Sequence, residues 1–303
     1  MNMHNFTPGA PINRSIPQTA LTLDQLRTLV PSAFAAGKHE SRSDKFTYIP
    51  TGDVIAGLMH EGFQPFKAVQ SRSRIPGKTE FTKHMIRFRH VDSLSALKVG
   101  DTVPEVVIVN AHDGTAAYSI SEGLWRLVCS NGLMVPDSIV QSLKIPHRGN
   151  IVDEVIEGSF QIVQQSEKAL AKVEEFTQLR LTDGEQDAFA DAARELRFAD
   201  AEGKIQTPVT AAQLLRPRRR EDMDSTERNW NRPAHDLWTT VNVVQEHVIK
   251  GGDTGTKTAI DEHGRFTRRR ATTREVKNID MDMRLNRALF TLAERMATLK
   301  KAA

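Results

Sequence analysis

Thr79-Glu-Phe-Thr-Lys-His-Met-Ile-Arg-Phe-Arg-His90 alternates with the period of a β-strand. Successive side chains of a strand point to opposite sides. Phe81, Lys83, Met85, Arg87 and Arg89 therefore share one face, and Thr82, His84, Ile86, Phe88 and His90 share the other. The second set is apolar enough to lie on a core, while the first is cationic and is expected to stay open. Upstream, Phe63 to Arg74 reads as a partner strand, with Pro76-Gly77 as the turn between the two. From Lys67 to Arg89 there are seven Lys/Arg against one acid, Glu80. Cations interleaved with apolar side chains suit a polyanion whose bases also stack.

Working outward from this hairpin, the rest of the chain falls into place. Thr51 opens a helix with Val54, Ile55, Leu58 and Met59 on its buried side, and Gly62 suits its end. Val106 to Val109 reads as a buried strand, Asp113-Gly114 as a turn and Ala116 to Ile120 as the return. Ser121 is expected to cap a helix through Leu124, Trp125, Leu127 and Val128, stopped at Asn131-Gly132. Beyond Pro146 the spacing turns helical over Ile151 to Leu179, Glu185 to Phe198 and Asp236 to Ile249, with a short turn from Thr210. The last helix opens at Asn278 or Asp280. Asp253 to Arg274, polar and Arg-rich, is expected to be a mobile loop.

The pattern predicts an α+β fold, with antiparallel β-hairpins, helices packed on one face and a helical C-terminal half. It divides into an arm with a short helix (1–40), an α+β core with the basic sheet (41–150), a helical region with a basic connection (151–235), and two helices joined by the Arg-rich loop (236–303).

Composition narrows the function. The 303 residues include 41 Lys/Arg and 38 Asp/Glu, a net charge of only +3, so positive charge matters through its placement. Arg216 to Arg220 and Arg265 to Arg270 form two further basic clusters, and Asp183 to Glu202 is acidic. A lone cysteine, Cys129, excludes an intramolecular disulfide and a multi-cysteine zinc site. No apolar run approaches the ~20 residues of a membrane span, and the first residues lack a basic segment followed by an apolar one. A cytoplasmic protein without membrane partners is expected.

Catalytic readings fare poorly. Cys129 has no charged activator near it in sequence and reads as a small buried hydrophobe. His84 and His90 match no compact zinc motif. Gly251-Gly-Asp-Thr-Gly-Thr-Lys-Thr258 lacks the adjacent Gly-Lys of a phosphate loop. Asp53, Glu61, Glu221 and Asp222 read as caps or partners of arginines, not as a paired-carboxylate centre. Binding is favoured over catalysis, and no cofactor or metal is implied. The expected contacts to nucleic acid are Lys45, Arg72, Arg74, Lys78, Lys83, Arg87, Arg89, Arg126, Arg268, Arg269 and Arg270, with Phe46, Tyr48 and Phe81 as platforms for bases. Trp125 reads as core. Of the two arginine clusters the second is the better contact, since Glu221, Asp222 and Asp224 offset the first.

Several segments resemble a phage- and plasmid-borne family, domain of unknown function nine hundred and thirty-two. These are Arg42-Ser-Asp-Lys-Phe-Thr-Tyr-Ile-Pro-Thr-Gly-Asp-Val-Ile55 with Gly62-Phe63, Lys83-His-Met-Ile-Arg-Phe-Arg89, and Tyr118-Ser-Ile-Ser-Glu-Gly-Leu-Trp-Arg-Leu-Val-Cys-Ser-Asn-Gly-Leu-Met-Val135. Gln213-Leu-Leu-Arg-Pro-Arg-Arg-Arg-Glu-Asp222, Val244-Gln-Glu-His247 and Leu285-Asn-Arg-Ala-Leu289 extend the resemblance towards the C-terminus. It implies a setting among genes for single-stranded DNA handling, recombination and evasion of host defence. The hairpin layout is also similar in topology to single-strand annealing proteins of the RecT/Erf type, which implies a homo-oligomer. The expected function is thus DNA binding, single strands preferred, with annealing or strand protection as its purpose. The alternatives are an anti-defence protein that binds a host nuclease or repair protein, and, third, a metal-dependent nuclease.

Overall fold

A six-stranded antiparallel sheet grows outward from the basic hairpin. The computed structural model describes residues 19–43, 46, 48–94, 101–126, 132–134, 143–144, 151–205, 207–223, 231–260 and 265–302. Strand β1 (Phe63–Gln70) pairs with β2 (His84–His90), β2 with β3 (Thr102–Asn110), and β3 with β4 (Ser119–Arg126). The short β5 (Gly132–Met134) and β6 (Leu143–Lys144) share the far edge of β4. The register of β1 on β2 slips between Pro65 and Lys67, where proline offers no N–H to the ladder.

One face of the sheet carries Ile86, Phe88, Val106, Ile108 and Ile120. It packs on α1 (Leu23–Leu29), α2 (Thr51–His60) and α3 (Ile151–Gln165) through Leu26, Val54, Ile55, Leu58, Val155 and Ile162. The helical half builds a second core from α4 (Glu167–Gln178), α5 (Asp183–Phe198), α6 (Ala211–Leu214), α7 (Leu237–Lys250) and α8 (Ile279–Ala302). Phe176, Phe189, Val241, Leu285 and Phe290 are central to it, and Leu124 of β4 and Leu133 of β5 reach into it from the sheet. Helix α7 starts at Asp236, whose carboxylate accepts the Thr239 N–H, and every residue from Leu237 to Ile249 is buried.

Four expectations needed correction. Ser121 does not cap a helix, because Ser119 to Arg126 is the strand β4. Glycine at 123 disfavours a helix interior, and β3 offers eight residues of ladder across from it. The run from Ile151 breaks at Ser166 into α3 and α4. The basic strand is shorter than its alternation suggests, since Thr79–Phe81 is a 3-10 turn and β1 ends before Arg72. Finally, the Arg-rich stretch is not a loop: β7 (Thr254–Ile260) and β8 (Phe266–Thr272) pair in register as a two-stranded ribbon. Cys129 and Asn131 lie outside the described residues.

Candidate nucleic-acid interface

The cationic face of the first hairpin is closed. Arg87 and Arg89 are 1% and 2% exposed, and between them lies Glu105 of β3, itself 1% exposed. Arg87 Nη1 donates to Glu105 Oε2 at 2.7 Å, and Arg89 Nε donates to Oε1 at 2.9 Å. The Arg89 guanidinium also stacks 3.7 Å from the ring of Trp125 and 4.3 Å from that of Phe66. Burial would push the Glu105 carboxyl up, but the two guanidiniums outweigh it and hold it below the usual carboxylate range. Gly123 makes room for this group, since a methyl there would come 3.2 Å from Arg87 Nη1 and 3.0 Å from Val107. Ile279, at the start of α8, packs with Met85 and Val107 over the same face. The expectation that Arg87 and Arg89 face solvent and hold phosphates is therefore corrected. They neutralise an internal carboxylate.

The other expected contacts scatter. Lys83 bonds both carboxylate oxygens of Asp280, at 2.7 and 2.8 Å, and Lys78 lies 3.4 Å from Asp113. Arg126 is buried against Asp222 at 2.7 Å. Arg72 and Arg74 are exposed on the connection between β1 and β2, off the sheet face. Lys45 lies outside the described residues. Of the expected base platforms, Tyr48 donates its hydroxyl to the Ala35 carbonyl and packs on His112, and Phe81 meets His39 edge-on at 5.2 Å. Phe46 is half-buried, with its N–H bonded to Ser43. His84 is fully buried between the hydroxyls of Ser32 (2.9 Å) and Thr51 (3.2 Å). Burial, with His112 beside it, lowers its pKa to about 3. His90 packs on Phe63 and Phe160. Among the described residues no three His, Cys, Asp or Glu side chains gather as a metal site would require.

The first arginine cluster is structural. Arg219 forms a two-pronged pair with Glu246 of α7, at 2.6 and 2.7 Å. Arg218 Nη2 donates to the Gly251 carbonyl at 2.6 Å and to Asp253 Oδ1 at 3.1 Å. His247 completes the cluster: its Nδ1 lies 2.6 Å from Asp253 Oδ1, and its Nε2 lies 2.8 Å from the Arg216 carbonyl. Burial raises the Asp253 carboxyl, but hydrogen bonds and charge from His247 and Arg218 outweigh this and hold it low. This knot clamps the point where α7 passes into β7. Gly251 turns the chain there with φ 62° and ψ −149°, a region that only glycine occupies readily. On the other side Gly252 N–H donates to the Thr273 carbonyl, and Thr273 N–H donates to that of Asp253.

From this clamp the ribbon β7–β8 runs for about seven residues a strand, roughly 23 Å. Its strands pack chiefly on each other, and among the described side chains neither hydrophobic core includes one of theirs; only the base meets the body, where Gly255 lies against Pro208 and Gln213 donates to the Thr254 carbonyl at 2.9 Å. Arg268 and Arg270 share one face with Phe266, while Lys257 and Arg269 stand opposite each other on the second. All four cations are exposed, and no carboxylate pairs with them among the described residues. Arg268, Arg269 and Arg270 are thus the expected contacts that end up side by side in solvent. Lys257 and Phe266 were missed. The Thr-rich alternation of Thr254-Gly-Thr-Lys-Thr-Ala-Ile260 and Phe266-Thr-Arg-Arg-Arg-Ala-Thr272 was the available signal. Glu105 was also missed, although an acid inside Val103-Pro-Glu-Val-Val-Ile-Val109 marks a buried charge in need of a partner.

Residues 38–290 match the family model described as Domain of unknown function (DUF932). The chain belongs to that family. Two relatives from Escherichia coli (strain K12) are similar over nearly their whole length. UPF0380 protein YafZ is 41% identical over 278 residues, covering 92% of each chain. UPF0380 protein YfjQ is 40% identical over the same length and coverage. No solved structure matches. In this DUF932 chain the matched region takes in both the buried Arg87–Glu105–Arg89 group and the basic ribbon.

Proposed function

We propose that this DUF932 protein binds DNA through the β7–β8 ribbon. The observation that carries the reading is the ribbon itself, a slender antiparallel pair with Lys257, Arg268, Arg269 and Arg270 exposed and unopposed by carboxylates among the described residues. A surface segment that packs on neither core and carries four such cations is explained by a polyanionic partner. The clamp at Asp253, Arg218 and His247 fixes its base, so its charge is presented from a set position. The case for single strands rested on an open sheet with aromatic platforms. With Arg87 and Arg89 inside, that support is gone, and phosphate contact by the ribbon is what remains.

The test is fluorescence anisotropy with labelled oligonucleotides over a salt series. Four phosphate contacts give a log–log slope of about −3.6 on duplex DNA, and Arg268→Ala/Arg269→Ala/Arg270→Ala brings it to about −0.9 with a matching loss of affinity. Equal affinity and slope for the two proteins would sink the reading.

A further inference from the structure

We infer that the ribbon's ligand is a DNA duplex that it bends, with Phe266 as the wedge. This rests on the ribbon being the DNA-binding element and adds what kind of DNA it takes and what it does to it. Phe266 is 78% exposed, more than any other large apolar side chain among the described residues. It opens β8 at the end of the ribbon far from the clamp, on the face that carries Arg268 and Arg270. A ring kept in water beside two guanidiniums finds a use where charge and an apolar surface are met together. A duplex offers both, because phosphates line the groove and the stacked bases form its floor.

The rest of the ribbon is slim. Beside its cations it carries the short side chains of Thr256, Thr267 and Ala271, while its base lies against the body, where Gly255 backs on Pro208 and Gln213 donates to the Thr254 carbonyl at 2.9 Å. Three of the four described cations are arginines, the side chain drawn into the strong negative potential of a narrow A·T minor groove. Apolar side chains that enter from the minor groove part a base step and kink the helix axis away from the protein. RNA duplexes are a poor match, for their minor groove is wide and shallow and their major groove is too narrow for side chains to enter. A free single strand has no groove to hold both faces of the ribbon at once.

The experiment uses the full chain and a duplex of about 30 base pairs with an A·T-rich centre, labelled at its ends with a fluorescent donor and acceptor. Wild type is expected to raise energy transfer on binding, as the ends approach. Phe266→Ala keeps binding to within about tenfold and loses the rise, while Phe266→Trp retains it. Because the side chain is exposed, folding is not at stake in either variant. A Phe266→Ala protein that bends DNA as wild type does overturns the inference, as does a wild type that prefers the separated strand. In both cases the ribbon reading stands if Arg268→Ala/Arg269→Ala/Arg270→Ala still abolishes binding. If that triple variant binds normally, the ribbon reading has failed as well.

Discussion

At the residue scale, two arginines that look like ligands for phosphate turn out to serve a carboxylate. Arg87, Glu105 and Arg89 form a buried trio with a net charge of +1. Losing Glu105 would leave two guanidiniums uncompensated away from water, which costs about 3–5 kcal/mol. Glu105→Gln is expected to lower the stability read from urea titration by that order, and Arg89→Ala by less, since it leaves a neutral Arg87–Glu105 pair and loses one bond and the stacking on Trp125 and Phe66. Arg87→Ala/Arg89→Ala is consequently a poor probe of DNA binding, since any loss would reflect unfolding.

Residues also set the pH dependence. Neutral His84 and His112 have folded-state pKa values of about 3 and about 4, both lowered first by burial, against 6.5 in the unfolded chain. Their contribution is full above 6.5 and is lost as pH falls through that value towards the folded ones. Glu122 on β4 runs the other way. Its carboxylate has no hydrogen-bond partner among the described residues, and burial raises its pKa from 4.5 to about 8. Its contribution is present below 4.5 and is lost as pH rises towards 8. Each group changes stability by about 1.4 kcal/mol per pH unit within its window. Stability should therefore peak near pH 6.5 and fall by about 2 kcal/mol towards pH 8. Denaturant titrations across pH 5 to 8 check this, and Glu122→Gln should remove the alkaline fall while leaving the acid one.

At the scale of elements, the ribbon and its clamp separate cleanly from the body. Replacing residues 256–270 with a short Gly-Ser turn is expected to leave the thermal midpoint within a few degrees, because neither core includes a described side chain of that stretch. Gly251→Ala is different. Its φ of 62° and the approach of the Arg274 carbonyl carbon to 2.7 Å of an added methyl force the turn to shift. A cost of about 1–3 kcal/mol is expected, along with faster amide exchange at Asp253 and Thr273.

How much of this could be read from the sequence also divides by element. The paired strands β1 and β2, the strand through Val106 to Val109, and the helix capped by Asp236 were all legible, because periodicity and capping are local signals. Alternation tells which residues of a strand share a face, but not whether something covers that face. The cover came from Glu105, 16 and 18 residues beyond the two arginines, and from Ile279 at the far end of the chain. The helix expected from Ser121 gave way chiefly to pairing: Leu124, Trp125 and their neighbours fit either period, Gly123 weakens a helix, and the ladder with β3 decided the matter. For the ribbon, threonine alternation was outweighed by glycine and arginine, the composition of a loop.

At the scale of the whole molecule, the sheet belongs to both halves. Leu124 and Leu133 sit in the helical core, Arg126 reaches Asp222, and Lys83 reaches Asp280. With the first core and the second sharing strands in this way, unfolding by heat is expected to be one cooperative transition. Calorimetric and van't Hoff enthalpies that agree would bear this out, and two resolved peaks would count against it.

Helix α7, wrapped on every side by the segments around it, has a consequence for synthesis. More than two hundred residues leave the ribosome before it does, and α4, α5 and α6 must then wait without the rod against which they are meant to close. The nascent chain holds these apolar faces uncovered until α7 has emerged, and it is during that interval that chaperones have most to protect.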